Sequence, residues 1–313
     1  SRSSRMATVG SRWTSSWRPR QTEAMLGVEV HRDARSAAAA VELVAETDPI
    51  GYTLLATVHA DAASGARSYD GEMWVVVLDD EQPVGAAMLT PPHPLYVGPI
   101  PDEAAPLVAD VTADTMAADG LDPEDALDGV NGEAEAVRAV VRTWQQRFPS
   151  VSVTGTVPER LHKLESLSVP DVPGEARIAT DDDRHLLLPW SQAFAADIGH
   201  QAGSVEEGLR VRLEHGGMLL WTVNGATVSM AGHTRVVRGV TRIGPVYTPP
   251  EHRGHGYGAA VTAAATAAAL GQPGAVEVTL FTDLRNPTSN KIYSEIGYRP
   301  VRDYLEVGLS TGS

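Results

Sequence analysis

Between residues 253 and 258 an arginine is followed by glycine at alternate positions: Arg253-Gly254-His255-Gly256-Tyr257-Gly258. What flanks this run decides its meaning. Upstream, Thr241 to Thr248 alternates and is rich in β-branched and aromatic residues, which is the pattern of a strand. Gly244 and Pro245 interrupt it. Proline has no N–H to give a ladder, so the spacing predicts a bulge that leaves backbone N–H groups near Val246 and Thr248 free for a ligand. Downstream, Ala259 to Leu270 is nearly all alanine, a strong helix by propensity, with Gly271 and Pro273 placed to stop it. The first N–H groups of a helix have no intrahelical acceptor. Together with the helix dipole they attract anions. Glycines let a phosphate approach the backbone without a Cβ in the way, and Arg253 adds a cationic fork. A plain glycine-rich turn before a packed helix accounts for fewer of these agreements. Gly254, Gly256 and Ala259 also satisfy the dinucleotide pattern G-x-G-x-x-G/A, with Glu277 at a tolerable distance. Yet only 54 residues follow Ala259 in a chain of 313, too few to complete a doubly wound sheet.

A second helix follows. Ala275 to Thr282 reads as a buried strand. Asn286 is a good N-cap, Pro287 suits the first helical position, and Gly297 closes the helix. Asn286, Ser289, Asn290 and Tyr293 fall on one face, while Ile292 and Ile296 fall on another suited to the core. Taken alone, a tyrosine on such a helix is more often packed than catalytic.

Arg253-x-x-Gly256-x-Gly258 after a bulged strand resembles the acyl-CoA pyrophosphate loop of the GNAT N-acetyltransferase superfamily. Asn286…Ser289…Ile292-Tyr293…Gly297-Tyr298 is similar to that superfamily's following helix. The resemblance covers roughly residues 174 to 313. It implies that backbone N–H groups at Val246 and Thr248 take the pantetheine and the thioester carbonyl. It implies that Arg253, Gly254, His255, Gly256, Tyr257, Gly258 and Ala259 hold the pyrophosphate, with Asn286 and Ser289 nearby, and that Tyr293 protonates the departing thiolate. Acetyl-CoA is then the acyl donor. The chain has no cysteine, which excludes an acyl-cysteine intermediate and leaves direct attack by an amine. That amine must lose a proton to a base or a water chain. Glu251, Asp283, Glu277 and His233 are candidates, each more simply read as structural or solvated.

The first half repeats the same order of elements. Leu26 to His31 reads as a strand, and Asp33 caps a helix to about Glu46. Trp74 to Leu78 and Pro83 to Leu89 form a hairpin, and Leu95 to Val97 is a short strand. Pro101 to Ala118 is a helix, Gly129 to Asn131 a strand, and Glu133 to Phe148 an amphipathic helix. Ser150 to Thr156 and Arg160 to Leu167 close it as a strand pair. In the second half Gly174 to Ala179 is a strand, and Thr180 with Asp183 makes a capping-box start. Val205 to His215 is a helix, and Asn224-Gly225 joins a hairpin from Met218 to His233. The expected fold is α/β (α+β): two tandem GNAT-like domains, each a mixed, mostly antiparallel sheet flanked by helices. Residues 25–170 form a degenerate copy and 174–313 the acyl-CoA-binding one. Where the cradle would stand, the first copy has Tyr96-Val97-Gly98-Pro99-Ile100-Pro101, with no arginine and too few glycines to hold pyrophosphate.

Residues 1–24 are a tail rich in Ser and Arg, weakly like a transit peptide. Its stretch from Ser1 to Thr22 carries Arg2, Arg5, Arg12, Arg18 and Arg20 and no acid. Set against a net charge of −15, that leaves the rest of the chain strongly acidic. Such a body disfavours nucleic acid and draws a cationic amine, although solubility alone also explains it. The tail is expected to pack on that acidic body or on a partner subunit, which leaves a homodimer open. No apolar run reaches the roughly 18 residues a spanning helix needs, and no carboxylate or HExxH cluster suggests a metal. The absence of cysteine fits the cytoplasm. Lys163 and Lys291 are the only lysines among many arginines, a bias of high-GC bacteria. The expected activity is acetyl transfer to the primary amine of a small molecule. The alternatives are a protein-directed acetyltransferase and a non-catalytic acyl-CoA sensor.

Overall fold

The computed structural model describes residues 26–198 and 205–312; the basic tail lies outside them. In chain order the first half runs β1 (Leu26–His31), α1 (Ala34–Thr47), α2 (Thr53–Ser64), β2 (Met73–Asp79), β3 (Gln82–Leu89) and β4 (Leu95–Val97). It continues through α3 (Ala105–Ala118), α4 (Pro123–Ala126), β5 (Gly129–Glu133), α5 (Ala134–Arg147) and β6 (Val151–Leu164). The second half runs β7 (Glu175–Ile178), α6 (Arg184–Asp197), α7 (Val205–Glu214), β8 (Met218–Val223), β9 (Ala226–His233) and β10 (Val240–Tyr247). It ends with α8 (Tyr257–Leu270), β11 (Glu277–Asp283), α9 (Pro287–Ile296) and β12 (Tyr298–Thr311).

The caps read from the sequence form as hydrogen bonds. Asp33 accepts from the Ser36 amide, Thr180 and Asp183 make a reciprocal capping box, and Asn286 accepts from the Ser289 amide. Two boundaries differ from expectation. The alanine helix begins at Tyr257, inside the glycine run, directly after left-handed Gly256, which is its N-cap. The expected strand pair after α5 is one long strand, β6, passing straight through Pro158. Ladder pairing of β6 to β11 ends at Glu159, and Pro158 meets that side only through its carbonyl, which accepts from the Leu284 amide at 2.9 Å, so the missing proline N–H falls at the end of the ladder.

The described strands form one sheet in the order β1-β2-β3-β4-β5-β12-β6-β11-β10-β9-β8-β7, with β4–β5 and β10–β11 parallel and the other pairs antiparallel. The two halves have exchanged their last strands. β6, from the first half, pairs with β11 of the second. β12, the end of the chain, pairs with β5 of the first, and β6 and β12 run antiparallel against each other along their length. The cores follow this exchange. Leu305, Val307 and Leu309 of β12 pack with Val130, Val137 and Trp144 of the first half, while Leu164 and Leu167 pack against the α8 cluster of the second. α8 and α9 cover one face of the second half of the sheet with Val261, Ala265 and Ile296. α6 and α7 cover the other with Leu187 and Leu209.

Candidate active site

The bulge expected in β10 is present. Ile243 pairs with His233 and Val246 with Ala231, so β10 carries one more residue than β9 between these points. On its other edge β10 pairs with β11 only as far as Ile243 and Leu280. Beyond them the two parallel strands part, β11 continuing against β6 and β10 against β9 alone. A gap therefore opens in the sheet beside Gly244 to Thr248. The Tyr247 carbonyl lies on the β9 side, where the Ser229 hydroxyl donates to it at 3.0 Å. Strand alternation then turns the backbone groups of Val246 and Thr248 towards the gap.

The glycine loop stands at the mouth of this gap. Gly254 and Gly256 both have φ of 82°, a backbone that L side chains rarely adopt. Gly256 is the N-cap of α8, and no side chain caps that helix. The first acceptor within the helix serves Ala260, whose N–H reaches the Gly256 carbonyl at 3.0 Å. The amides of Tyr257, Gly258 and Ala259 thus have no partner among the described residues. Thr248 closes the floor, its hydroxyl 2.8 Å from that of buried Ser229. A Cβ on Gly258 would stand 3.2 Å from the Thr248 hydroxyl, and one on Gly256 would stand 3.0 Å from Val172 of the segment joining the two halves. The expected arginine is more constrained than the sequence suggests. Arg253 donates to the Thr248 carbonyl at 2.9 Å and to Asp197 at 3.3 Å, with its guanidinium 5.8 Å over the Tyr247 ring. His255 stacks on Tyr257 at 5.3 Å.

On α9, the expected polar face divides its work. Asn290 ties the helix to β11, donating to the carbonyls of Asp283 and Asn286 and accepting from the Thr282 hydroxyl. Asn286 spends its carbonyl oxygen on the cap, and Ser289 is half-buried. Tyr293 is part-buried in the same packed cluster as Val246 and Ala259, with its ring edge-on to Tyr298 at 6.3 Å. Burial alone pushes its hydroxyl up to about 12, so it stays protonated across the neutral range. Tyr298 is anchored by a 2.7 Å hydrogen bond with Thr266.

None of the base candidates stands free and poised. Glu277 is paired with Lys163 at 3.0 Å. Asp283 is held below the usual carboxylate range, first by the Arg285 guanidinium. His233 is buried against Gln272 and the Thr234 carbonyl, and burial lowers it. Glu251 sits exposed on the turn before the loop. No cluster of three or more metal-ligating side chains occurs among the described residues. Two open clefts, of about 520 and 510 Å³, lie along the β6–β12 seam, and neither reaches the glycine loop.

The equivalent place in the first half is built differently. No residue from Gly98 to Ala105 has positive φ. Asp102 and Glu103 occupy the turn before α3, and the Tyr52 hydroxyl donates to the Pro99 carbonyl. Carboxylates at a helix start already answer the dipole and repel a second anion.

Residues 222–307, from β8 to β12, match the family model described as FR47-like protein. Solved structures share the architecture over nearly the whole chain. A GCN5-related N-acetyltransferase from Sphaerobacter thermophilus is 15% identical, with 90% of this chain and 95% of that one covered and a TM-score of 0.59. A GNAT-family acetyltransferase from Colwellia psychrerythraea is 10% identical, over 90% and 99%, at 0.56. A tandem GNAT protein from the clavulanic acid biosynthesis pathway is 13% identical, over 92% and 99%, at 0.55. At such identities the likeness is one of fold. No curated protein matches the chain in sequence. The chain therefore has the tandem GNAT fold, and within its second half residues 222–307 match the FR47-like model.

Proposed function

We propose that the second domain, residues 174–313, is an acetyl-CoA-dependent N-acetyltransferase that acts directly on the primary amine of a small molecule. On this reading the first domain, residues 25–170, is a degenerate copy that binds no coenzyme A and walls the acceptor side. The observation that carries the reading is the uncapped start of α8, with left-handed glycines, at the mouth of the gap where β10 leaves β11. The free amides of Tyr257, Gly258 and Ala259 hold the pyrophosphate, assisted by Arg253 once it leaves Asp197. The Val246 and Thr248 amides hold the pantetheine arm and polarise the thioester carbonyl. The amine nitrogen bonds to the acetyl carbon as the carbon–sulfur bond breaks. The Tyr293 hydroxyl gives its proton to the departing sulfur, and the surplus proton of the amine leaves through water. Asn286 and Ser289 line the path of the arm, and His255 and Tyr257 flank the phosphates. A water chain suits the base role, because three of the four candidate side chains are already engaged and Glu251 faces solvent.

Calorimetry with acetyl-CoA, followed by an amine panel read by free-thiol release, tests this. One site per chain and thiol release that depends on amine are expected. Binding without release across the panel would make the chain an acyl-CoA sensor, and no binding would end the assignment.

A further inference from the structure

The face of β10 turned away from α8 carries charge that the proposed chemistry does not use. Ile243 packs into the α8 cluster, so alternation turns Arg242 to the opposite face. There its guanidinium donates to the carbonyl of Thr53 at 3.0 Å, at the start of α2 in the first domain. Arg212 of α7 reaches the same region. It donates to the Gly244 carbonyl, at the bulge, at 3.1 Å, and to the Gly208 carbonyl at 3.0 Å. Arg67, in the loop after α2, lies over the Tyr69 ring at 5.2 Å, and its Nε is buried with no hydrogen-bond partner. None of these three arginines forms an ion pair among the described residues. Most arginines elsewhere on this acidic surface do, including Arg147, Arg160, Arg177 and Arg238.

Asp61 of α2 faces all three, but its contact is with Arg235 at 3.5 Å, an arginine shared with Glu214, and Glu207 of α7, which also feels Arg67, is paired with Arg210 at 2.6 Å. Arg212 feels Arg242 and Arg67 as like charges, and burial first, then these neighbours, brings it down to about 10. Burial likewise brings Arg242 down to about 10, although Tyr96, Asp61 and Tyr304 counter it. A desolvated cation without a counterion is costly in a fold that gains nothing from it. Arg212 spends two of its N–H groups on carbonyls and Arg242 one, and the Arg67 Nε has no partner among the described residues, so each guanidinium keeps donors that no described carboxylate takes up. The Gly244 carbonyl that Arg212 grips stands two residues before Val246, at the edge of the gap.

Resting on the acetyltransferase reading, we infer that the acceptor amine carries an oxyanion, a carboxylate or a phosphate, which docks on Arg212 and Arg242 with Arg67 at its rim. The first domain then supplies part of the acceptor site: α2 through the Thr53 carbonyl that orients Arg242, and the loop after it through Arg67. Arg212 and Arg242 are substrate-binding residues here, and none of the three takes part in acyl transfer.

The test is calorimetric, on the full chain in low-salt buffer with coenzyme A present to fill the cradle. Succinate and inorganic phosphate serve as separate probes. At least one of them should bind at a single site with a dissociation constant of about 1 mM or below. Arg212→Gln and Arg242→Gln should each weaken it by about tenfold or more, and Arg242→Lys by less. Coenzyme A affinity should not change in any of them. A melting-temperature rise with succinate, set against sodium chloride of equal ionic strength, gives a second readout in wild type that needs no variant. The inference is overturned if neither probe binds wild type at about 20 mM, or if the glutamine variants bind as wild type does. If the anion binds through these arginines but coenzyme A does not bind at all, the acetyltransferase reading fails while the anion site stands. Where an acceptor turns over, a carboxylate-bearing amine should have a KM about tenfold or more below that of its carboxamide, with kcat little changed.

Discussion

Gly256→Ala separates backbone strain from ligand contact when set beside Gly254→Ala. Both glycines have φ of 82°, and an L residue there costs about 1–2 kcal/mol. At Gly254 a Cβ meets nothing within 4 Å, so the variant carries strain alone. At Gly256 the Cβ stands 3.0 Å from a Val172 methyl, which a small side-chain shift relieves. Both variants should therefore melt a few degrees lower, by about 2–4 °C per kcal/mol. Affinity should divide them. The Gly256 methyl stands at the uncapped start of α8, where a phosphate must approach. Loss of one charge-assisted hydrogen bond, at about 1.5–3 kcal/mol, weakens binding by about 10- to 150-fold. Gly254→Ala should lose less, staying within about threefold of wild type, because Gly254 stands two residues before the N-cap and its amide is not one of those at the start of α8. Parallel calorimetry with acetyl-CoA and with free coenzyme A, alongside melts of the same samples, measures both. Equal affinity in Gly256→Ala and wild type would refute the reasoning. So would a greater loss in Gly254→Ala than in Gly256→Ala.

Tyr293→Phe should lower kcat by about a hundredfold or more with KM for acetyl-CoA little changed; unaltered turnover would remove the tyrosine as acid. With its hydroxyl near 12, no loss of rate from its ionisation should appear below about pH 11. His215, held down at about 4 by burial first and then by the His233 ring, leaves both ring nitrogens unpartnered. The unfolded chain takes up that proton first, so stability is full above the ordinary histidine value of 6.5 and is lost as pH falls towards 4. His215→Phe should flatten that part of a melt series, and a slope equal to that of wild type would count against the account. Asp183 sits at about 2 because Arg177 donates to it, so its stabilisation is present above the ordinary 3.8 and fades as pH drops towards 2. Circular-dichroism melts of Asp183→Asn should show a shallower decline between pH 4 and 2, and one as steep as wild type would exclude the pair as a source of it.

The cradle was legible because its signals are local. A strand, a proline bulge, glycines and an alanine helix follow one another within a few turns of chain, and each is set by backbone sterics rather than by distant contacts. The same holds for the caps at Asp33, Thr180 and Asn286. What stayed hidden depends on residues far apart. Nothing within Val151 to Leu164 says that its neighbour is the last strand of the chain, since either half offers the same alternating pattern to a partner. The split of β6 into two strands at Pro158 followed from a sound rule applied without knowledge of where the ladder ends. The arginines between the domains were also out of sight, because arginine on a strand reads as solvent-facing until the opposite domain is placed over it. In retrospect one signal was available. Arg242 sits between Thr241 and Ile243 in a strand read as offering its backbone to a ligand, and there a charge needs a reason.

The exchanged strands make each half the other's final course of masonry. Neither duplicate can be excised as a working unit, since removing one leaves its sibling with an unzipped border and a hollow where borrowed side chains had been.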